Sequence, residues 1–273
     1  MVNIEDGQLA ARRPPWHASA AYLYVLQLDG PALAWEYLRR HPGYRQAWHT
    51  QAADAAQHWG LRTLEDPALD ARETLPDWLN ARACTIRVIH DDDPIPEASP
   101  FELWRLPGRK QLQHDGRGLL LAARWPGCCV RLKLAPELHD GMPHAFAMRA
   151  CQEPCMRYRD LANDLDQLAA ASRCEPSAAT CPRPSQSALQ ALLTLQALDA
   201  SQAGASLREI AEGLFGSTEV ASDWHADSAL RARVRRLVQR GRALVDGGYR
   251  ELAGLDQLAP PPLGRNSPTP DRP

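Results

Sequence analysis

At 273 residues, with 44% hydrophobic and 23% charged residues, the chain can bury real cores and is not wholly disordered, and a typical domain size of roughly 150 residues gives about two domains. No stretch approaches the roughly 18 apolar residues of a membrane span and no export signal opens the chain, so a cytoplasmic protein is expected, with its seven cysteines (Cys84, Cys128, Cys129, Cys151, Cys155, Cys174 and Cys181) as reduced thiols. The net charge of -2 excludes a uniformly basic protein but hides its distribution.

Residues 1–15 read as a polar, loose leader. From Trp16 the pattern turns helical: Ala20, Leu23, Tyr24 and Leu28 share one face, and Pro31 to Arg40 suits a second helix, stopped by His41, Pro42 and Gly43. A third helix is predicted from Tyr44 to Trp59, with Gly60 as its C-cap. Five of the eight tryptophans (Trp16, Trp35, Trp48, Trp59 and Trp78) fall in this part, as a small domain with bulky core residues requires. Residues 16–80 are therefore expected to form an N-terminal helical domain, followed by a linker over 81–100.

Strand signals follow. Thr85 to Ile89 alternates, and Asp91 to Pro96 is a loop. Phe101 to Leu106, Gly118 to Arg124 and Val130 to Leu134 are short apolar or alternating runs separated by Pro107-Gly108, Asp115-Gly116 and Pro126-Gly127. They predict a small antiparallel meander within 101–148. Ala145 to Leu168 returns to helical spacing, and Ser172 to Ser187 reads as a linker.

In the last third, Ser187 to Leu198 predicts a helix. Ser206 and Glu209 have capping-box spacing before the stripe Leu207, Ile210, Ala211 and Leu214. A break is expected through Gly213, Gly216 and Asp223. The next helix runs from Ser228 to Val245 and ends at Gly247-Gly248, one of which should have positive φ, with Tyr249 folding back near Leu244. A proline-rich tail over 256–273 is expected to be disordered.

Between Ser228 and Arg250 there are seven arginines (Arg231, Arg233, Arg235, Arg236, Arg240, Arg242 and Arg250) against Asp246 alone, so this segment carries +6 and the rest of the chain -8. On a helical wheel Leu230, Val234, Leu237, Val238, Gly241, Leu244 and Val245 occupy an arc of about 120°. Arg231, Arg235 and Arg242 flank one edge and Arg233, Arg236 and Arg240 the other. Pairing at i,i+4 cannot neutralise such a helix, which points to nucleic-acid contact. Two helices, the second basic, suggest a variant helix-turn-helix, although the break is longer than its usual three or four residues. Arg233, Arg236 and Arg240 are expected to face the duplex, and Arg231, Arg235, Arg242 and Arg250 to meet phosphates. Trp224 in the break reads as a core plug rather than a stacking platform. No phosphate-binding glycine loop, nucleophile elbow or zinc-protease signature occurs. Neither His139, His144, Cys151 and Cys155 nor the aspartates after His90 complete a metal set, so no enzyme, cofactor or metal is expected.

Phe101 to Lys110 (FELWRLPGRK), His114 to Gly118 (HDGRG) and Leu132 to Leu134 resemble the strand-rich front of the RovC-like transcription-factor DNA-binding family. Its tail is matched by Trp224, Asp227 to Arg231 (DSALR), Arg235 to Leu244 (RRLVQRGRAL) and Gly247 to Arg250 (GGYR). Trp35 to Tyr44 (WEYLRRHPGY), with Trp59 to Leu61 and Asp66-Pro67, is similar to the transcriptional-regulator-like domain that often precedes it. Asn80 to Asp93 departs from the pattern, which leaves that boundary open.

The resemblance implies an activator of secretion-system or mobile-element transfer genes in proteobacteria, bound to double-stranded promoter DNA as a homo-oligomer. RNA polymerase or an antiactivator protein would be its candidate protein partners. Some family members are antiactivators, so a protein-interaction module that docks an acidic regulator on the basic helix is the alternative; the retained arginines favour the activator. The expected architecture is α+β: an N-terminal helical domain, a small central antiparallel sheet, and a C-terminal variant helix-turn-helix, with a DNA-binding domain over 101–255 comprising the sheet and helices over 149–255. Since positive charge is concentrated after Ser228 and the tryptophan-rich core lies before Asn80, a fragment from Phe101 is expected to bind DNA alone, and residues 1–100 to fold without DNA affinity.

Overall fold

A computed structural model describes residues 14–51, 54–79, 85–114, 118–125, 128–147, 155–173 and 184–255. Residues 1–13 of the expected leader, the turns at Asp115-Gly116 and Pro126-Gly127, most of the 172–187 linker and the proline-rich tail lie outside these residues.

Two 3-10 helices, Pro15–His17 and Ser19–Gln27, precede α1 (Gly30–Leu38). Asp29 caps α1 by accepting from the Ala32 amide at 3.0 Å, and Pro31 sits where its missing N–H costs nothing. In α2 (Pro42–Thr50) the cap is His41, whose Nδ1 accepts from the Gly43 and Tyr44 amides at 2.9 and 3.3 Å. The third predicted helix is two: α2 ends at Gln51 with φ 47, and the short α3 (Ala55–His58) follows. Gly60, with φ 81, does close this region, because a Cβ there would meet Leu255 Cδ1 at 2.3 Å.

The sheet holds five strands, β1 (Ile86–His90), β2 (Arg109–His114), β3 (Leu119–Trp125), β4 (Cys128–Leu134) and β5 (His144–Ala147), in the order β2-β3-β4-β1-β5. The antiparallel meander is β2-β3-β4, with Leu112 opposite Leu121 and Leu121 opposite Leu132. β1 then adds parallel to β4, and β5 antiparallel to β1. Phe101 to Leu106 is not a strand: Phe101 is buried, but Leu103–Arg105 is a 3-10 turn. One face packs Ile86, Val88, Leu121, Val130 and Leu132 on Leu161 of α4 (Cys155–Arg173). The other carries Ala122 and Cys129 against Leu75. That face is tied to the N-terminal segment by Arg131 to Asp29 at 2.6 Å, Gln111 to the Glu73 carbonyl at 3.0 Å, and Arg124 to the Ala71 carbonyl. Burial alone would raise the pKa of Asp29, but the Arg131 charge and the Ala32 amide hold it below the usual carboxylate range.

The last third is helical: α5 (Gln186–Gln202), α6 (Leu207–Phe215), α7 (Ser217–Asp223), α8 (Ala229–Ala243), a π-helical turn over Leu244–Gly248, and α9 (Tyr249–Leu252). The capping box at Ser206 and Glu209 is present. α5 is buried on several sides, as a helix at the centre of a bundle must be: Leu192, Leu195 and Leu198 enter one core, and Ala197 and Ala200 another.

The first of those cores also contains Trp35, Tyr37, Tyr44 and Trp78, together with Val245, Tyr249 and Leu255. The two ends of the chain therefore share one interior. Tyr249 lies with its ring 6.1 Å from that of Trp78, and its hydroxyl reaches the Trp59 carbonyl at 3.3 Å. It thus inserts into the N-terminal segment instead of folding back on its own helix. A buried network reinforces the seam. Arg40 binds Glu36 at 2.6 Å and, across 159 positions, Asp199 at 2.5 and 2.8 Å, while the Tyr22 hydroxyl donates to Asp199 at 2.7 Å. Separable halves do not fit this arrangement: a fragment beginning at Phe101 would expose the apolar side of α5 and leave Asp199 without Arg40.

Candidate nucleic-acid interface

α8 begins at a firm cap: the buried Ser228 accepts from the Arg231 amide at 3.1 Å. Its stripe of Leu230, Val234, Leu237 and Val238 packs with Ile210 and Ala211 of α6, Val220 of α7 and Trp16. Gly241 completes the stripe at the crossing with α5, where a Cβ would lie 3.0 Å from Leu198 Cβ and 3.3 Å from the Thr194 carbonyl oxygen. A glycine inside a helix costs ~1 kcal/mol relative to alanine, and here it permits the close approach that fixes the roll of α8. Once that roll is fixed, the arginine positions are fixed as well.

Arg231, Arg233, Arg235, Arg236, Arg240 and Arg242 are all exposed on α8. Three of them are oriented by neighbours. Arg231 donates to the Ala226 carbonyl at 3.2 Å, Arg242 donates to Ser201 Oγ at 2.8 Å, and the Arg233 guanidinium lies 4.7 Å from the centre of the Phe215 ring, a cation–π contact that sets it against the end of α6. Arg250 stands apart from the other six: it is half-buried on α9 and donates to the His58 carbonyl at 3.4 Å. Among the described residues, no carboxylate forms an ion pair with any of the seven. The surface is thus a row of guanidinium groups, each with donors to spare, on a helix whose opposite side is locked into a core.

Between α6 and α8 the sequence suggests an irregular break, and the structure fills it with α7. Gly216, at φ 95 and ψ 151, separates α6 from α7, and residues 224–228 connect α7 to α8. Glu219 in the first turn of α7 is the local sign of this helix, but seven residues are too few for periodicity to reveal. Trp224 packs half-buried against the same core, in keeping with a plug. Gly247 carries the expected positive φ, 140°, though the chain resumes helical geometry at once in α9. Among the described residues, no group of three or more histidine, cysteine or acidic side chains could hold a metal ion, and no helix is long and apolar enough to cross a membrane.

Residues 142–253, which include α5 to α8 and all seven arginines, match the family described as T6SS transcription factor, DNA-binding domain, of the RovC type. Over these residues the chain is similar to the RovC-type DNA-binding family. Residues 15–62 match the proteobacterial transcriptional regulator-like domain, in the order that the resemblance implies. Residues 83–130, the greater part of the sheet, match a separate domain family of unknown function. None of the curated proteins compared matches the chain.

Proposed function

We propose that this protein is a sequence-specific regulator that binds double-stranded promoter DNA through α8, in a variant helix-turn-helix with α6, and activates secretion-system or mobile-element transfer genes in the cytoplasm. The observation that carries the reading is the row of six exposed arginines on α8, unpaired by any carboxylate among the described residues, within a domain whose family is described as DNA-binding. Arg236 and Arg240 face the duplex together with Arg233, whose stacking on Phe215 pre-orders it. Arg231, Arg235, Arg242 and Arg250 serve as phosphate contacts, which position the protein without reading sequence. Base reading then falls to an arginine that presents its paired donors to guanine O6 and N7 in the major groove. The shared core gives the N-terminal segment a direct role, since it holds α5, and α5 holds α8.

The test is fluorescence anisotropy of the full chain with duplexes recovered by selection from genomic DNA and with scrambled duplexes, at one fixed salt concentration. A sequence-specific regulator binds the selected duplex at least roughly a thousandfold more tightly. Equal affinity for both would refute the reading and favour a helix that docks an acidic protein.

A further inference from the structure

Away from α8, the junction between the N-terminal segment and the sheet encloses a recess of about 70 Å³, walled by Tyr24, Arg72, Arg109, Gln111 and Arg124. Arg109 on β2 and Arg124 on β3 are direct cross-strand partners. Like charges placed opposite each other on adjacent strands destabilise a sheet unless something offsets them. The nearby carboxylates have closer partners: Asp29 is bonded to Arg131, though its charge also reaches Arg124, and Asp70 is bonded to Arg72. Among the described residues, no ion pair links Arg109 or Arg124 to an acid.

Arg124 donates from Nη1 to the Ala71 carbonyl and lies against the thiol of Cys129, its partner on β4. Among the described residues its Nε and Nη2 are buried without an oxygen acceptor, with only the Cys129 thiol beside the guanidinium. Buried, charged donors without an acceptor are costly, and Nε with one Nη is the edge of a guanidinium that grips two oxygens of one anion. Arg72, lying 4.5 Å from the centre of the Tyr24 ring, adds a third guanidinium on the far wall, and Gln111 is pinned by its bond to the Glu73 carbonyl. At roughly 10–15 Å³ of such space per water, the recess has room for one tetrahedral anion and not for a nucleoside.

We propose that this recess binds a small oxyanion, free phosphate or the phosphate group of a small metabolite, clamped between Arg109 and Arg124. A ligand there touches β2, β3 and the N-terminal segment at once, so its binding fastens the N-terminal segment to the sheet. None of the lining residues belongs to the helices of the DNA-binding match, so the site is independent of the duplex surface.

Calorimetric titration of the full chain with inorganic phosphate at constant ionic strength tests this. The expected result is saturable binding of one phosphate per chain. Arg109→Gln, at an exposed position, should weaken it by at least about tenfold, with circular dichroism unchanged. Arg124→Lys, which keeps the charge but removes the two-pronged edge, should also weaken it. Arg236→Ala on α8, and excess duplex DNA, should leave the affinity unchanged. The absence of saturable binding, full affinity in Arg109→Gln, or loss of binding in Arg236→Ala would overturn the proposal. Displacement by duplex would also overturn it, since the occupant would then be a DNA phosphate.

Discussion

Replacing Asp199 with alanine probes the seam that joins the two ends of the chain. The substitution removes two bonds to Arg40, of 2.5 and 2.8 Å, and the 2.7 Å bond from Tyr22. Removing one partner of a buried ion pair costs about 3–5 kcal/mol, mostly from the charge left behind. Here that charge is Arg40, only 7% exposed, but it keeps Glu36, and Asp199 itself is 23% exposed, which lowers the ionic part to about 2–3 kcal/mol. Tyr22 loses its acceptor for about 1 kcal/mol more; burial and the Asp199 charge keep this phenol protonated and donating. The expected loss is therefore about 3–4 kcal/mol, a large share of a typical stability of about 5–15 kcal/mol. Urea unfolding followed by tryptophan fluorescence and by far-ultraviolet circular dichroism should show one transition, shifted to lower urea. A loss below about 1 kcal/mol, or fluorescence and dichroism transitions that separate, would refute the shared core.

Gly241→Ala should lower stability by about 1–2 kcal/mol despite the better helix propensity, because the methyl must displace Leu198 and the Thr194 carbonyl; denaturant midpoints against wild type check this. Gly247→Val should cost at least about 1 kcal/mol from backbone strain at φ 140, since the surrounding space is open, and a thermal melt no lower than wild type would contradict it. Burial lowers the His41 pKa below its ordinary value, against the opposing charge of Asp246 and with a smaller push from His58. The unfolded chain therefore binds this proton first, and stability should decline as pH falls below about 6.5; His41→Asn, an acceptor cap that does not titrate, should flatten that decline. Glu36 is held low: burial opposes, but Arg40, Arg39 and the Ala71 amide prevail. A second loss should therefore start as pH drops below about 4.3 and continue down to the folded-state value, and stability measured from pH 7 to 3 should show both stages.

The elements that the sequence announces are those whose signals are local. α8 is legible because Ser228, the apolar stripe and Gly247 act within one stretch of chain, and α6 because Ser206 and Glu209 cap it. β2 is not, since its one aliphatic residue, Leu112, is flanked by polar residues and lies at the sheet edge, 48% exposed, leaving no alternation to detect. β5, with four residues, merges into an apparent helical run, and α7 is too short to show a period. The seam is invisible for a different reason: Arg40 and Asp199 are 159 positions apart, and nothing near either residue names its partner. The recess at Arg124 is likewise created by strand register, which pairs it with Arg109 only once β2 is known to exist.

The salt dependence of duplex binding tests the role of α8 most directly. Anisotropy titrations of the full chain on its selected duplex, repeated from low to moderate salt, give log K against log salt. If about four arginines of α8 meet phosphates, the slope should be roughly -3 to -4 per bound chain. Arg231→Ala, which removes an exposed side chain held only by the Ala226 carbonyl, should flatten it by about 1 and weaken selected and scrambled duplexes alike. A slope near zero, or one that Arg231→Ala and Arg235→Ala together leave unchanged, would show that the duplex is held somewhere other than α8.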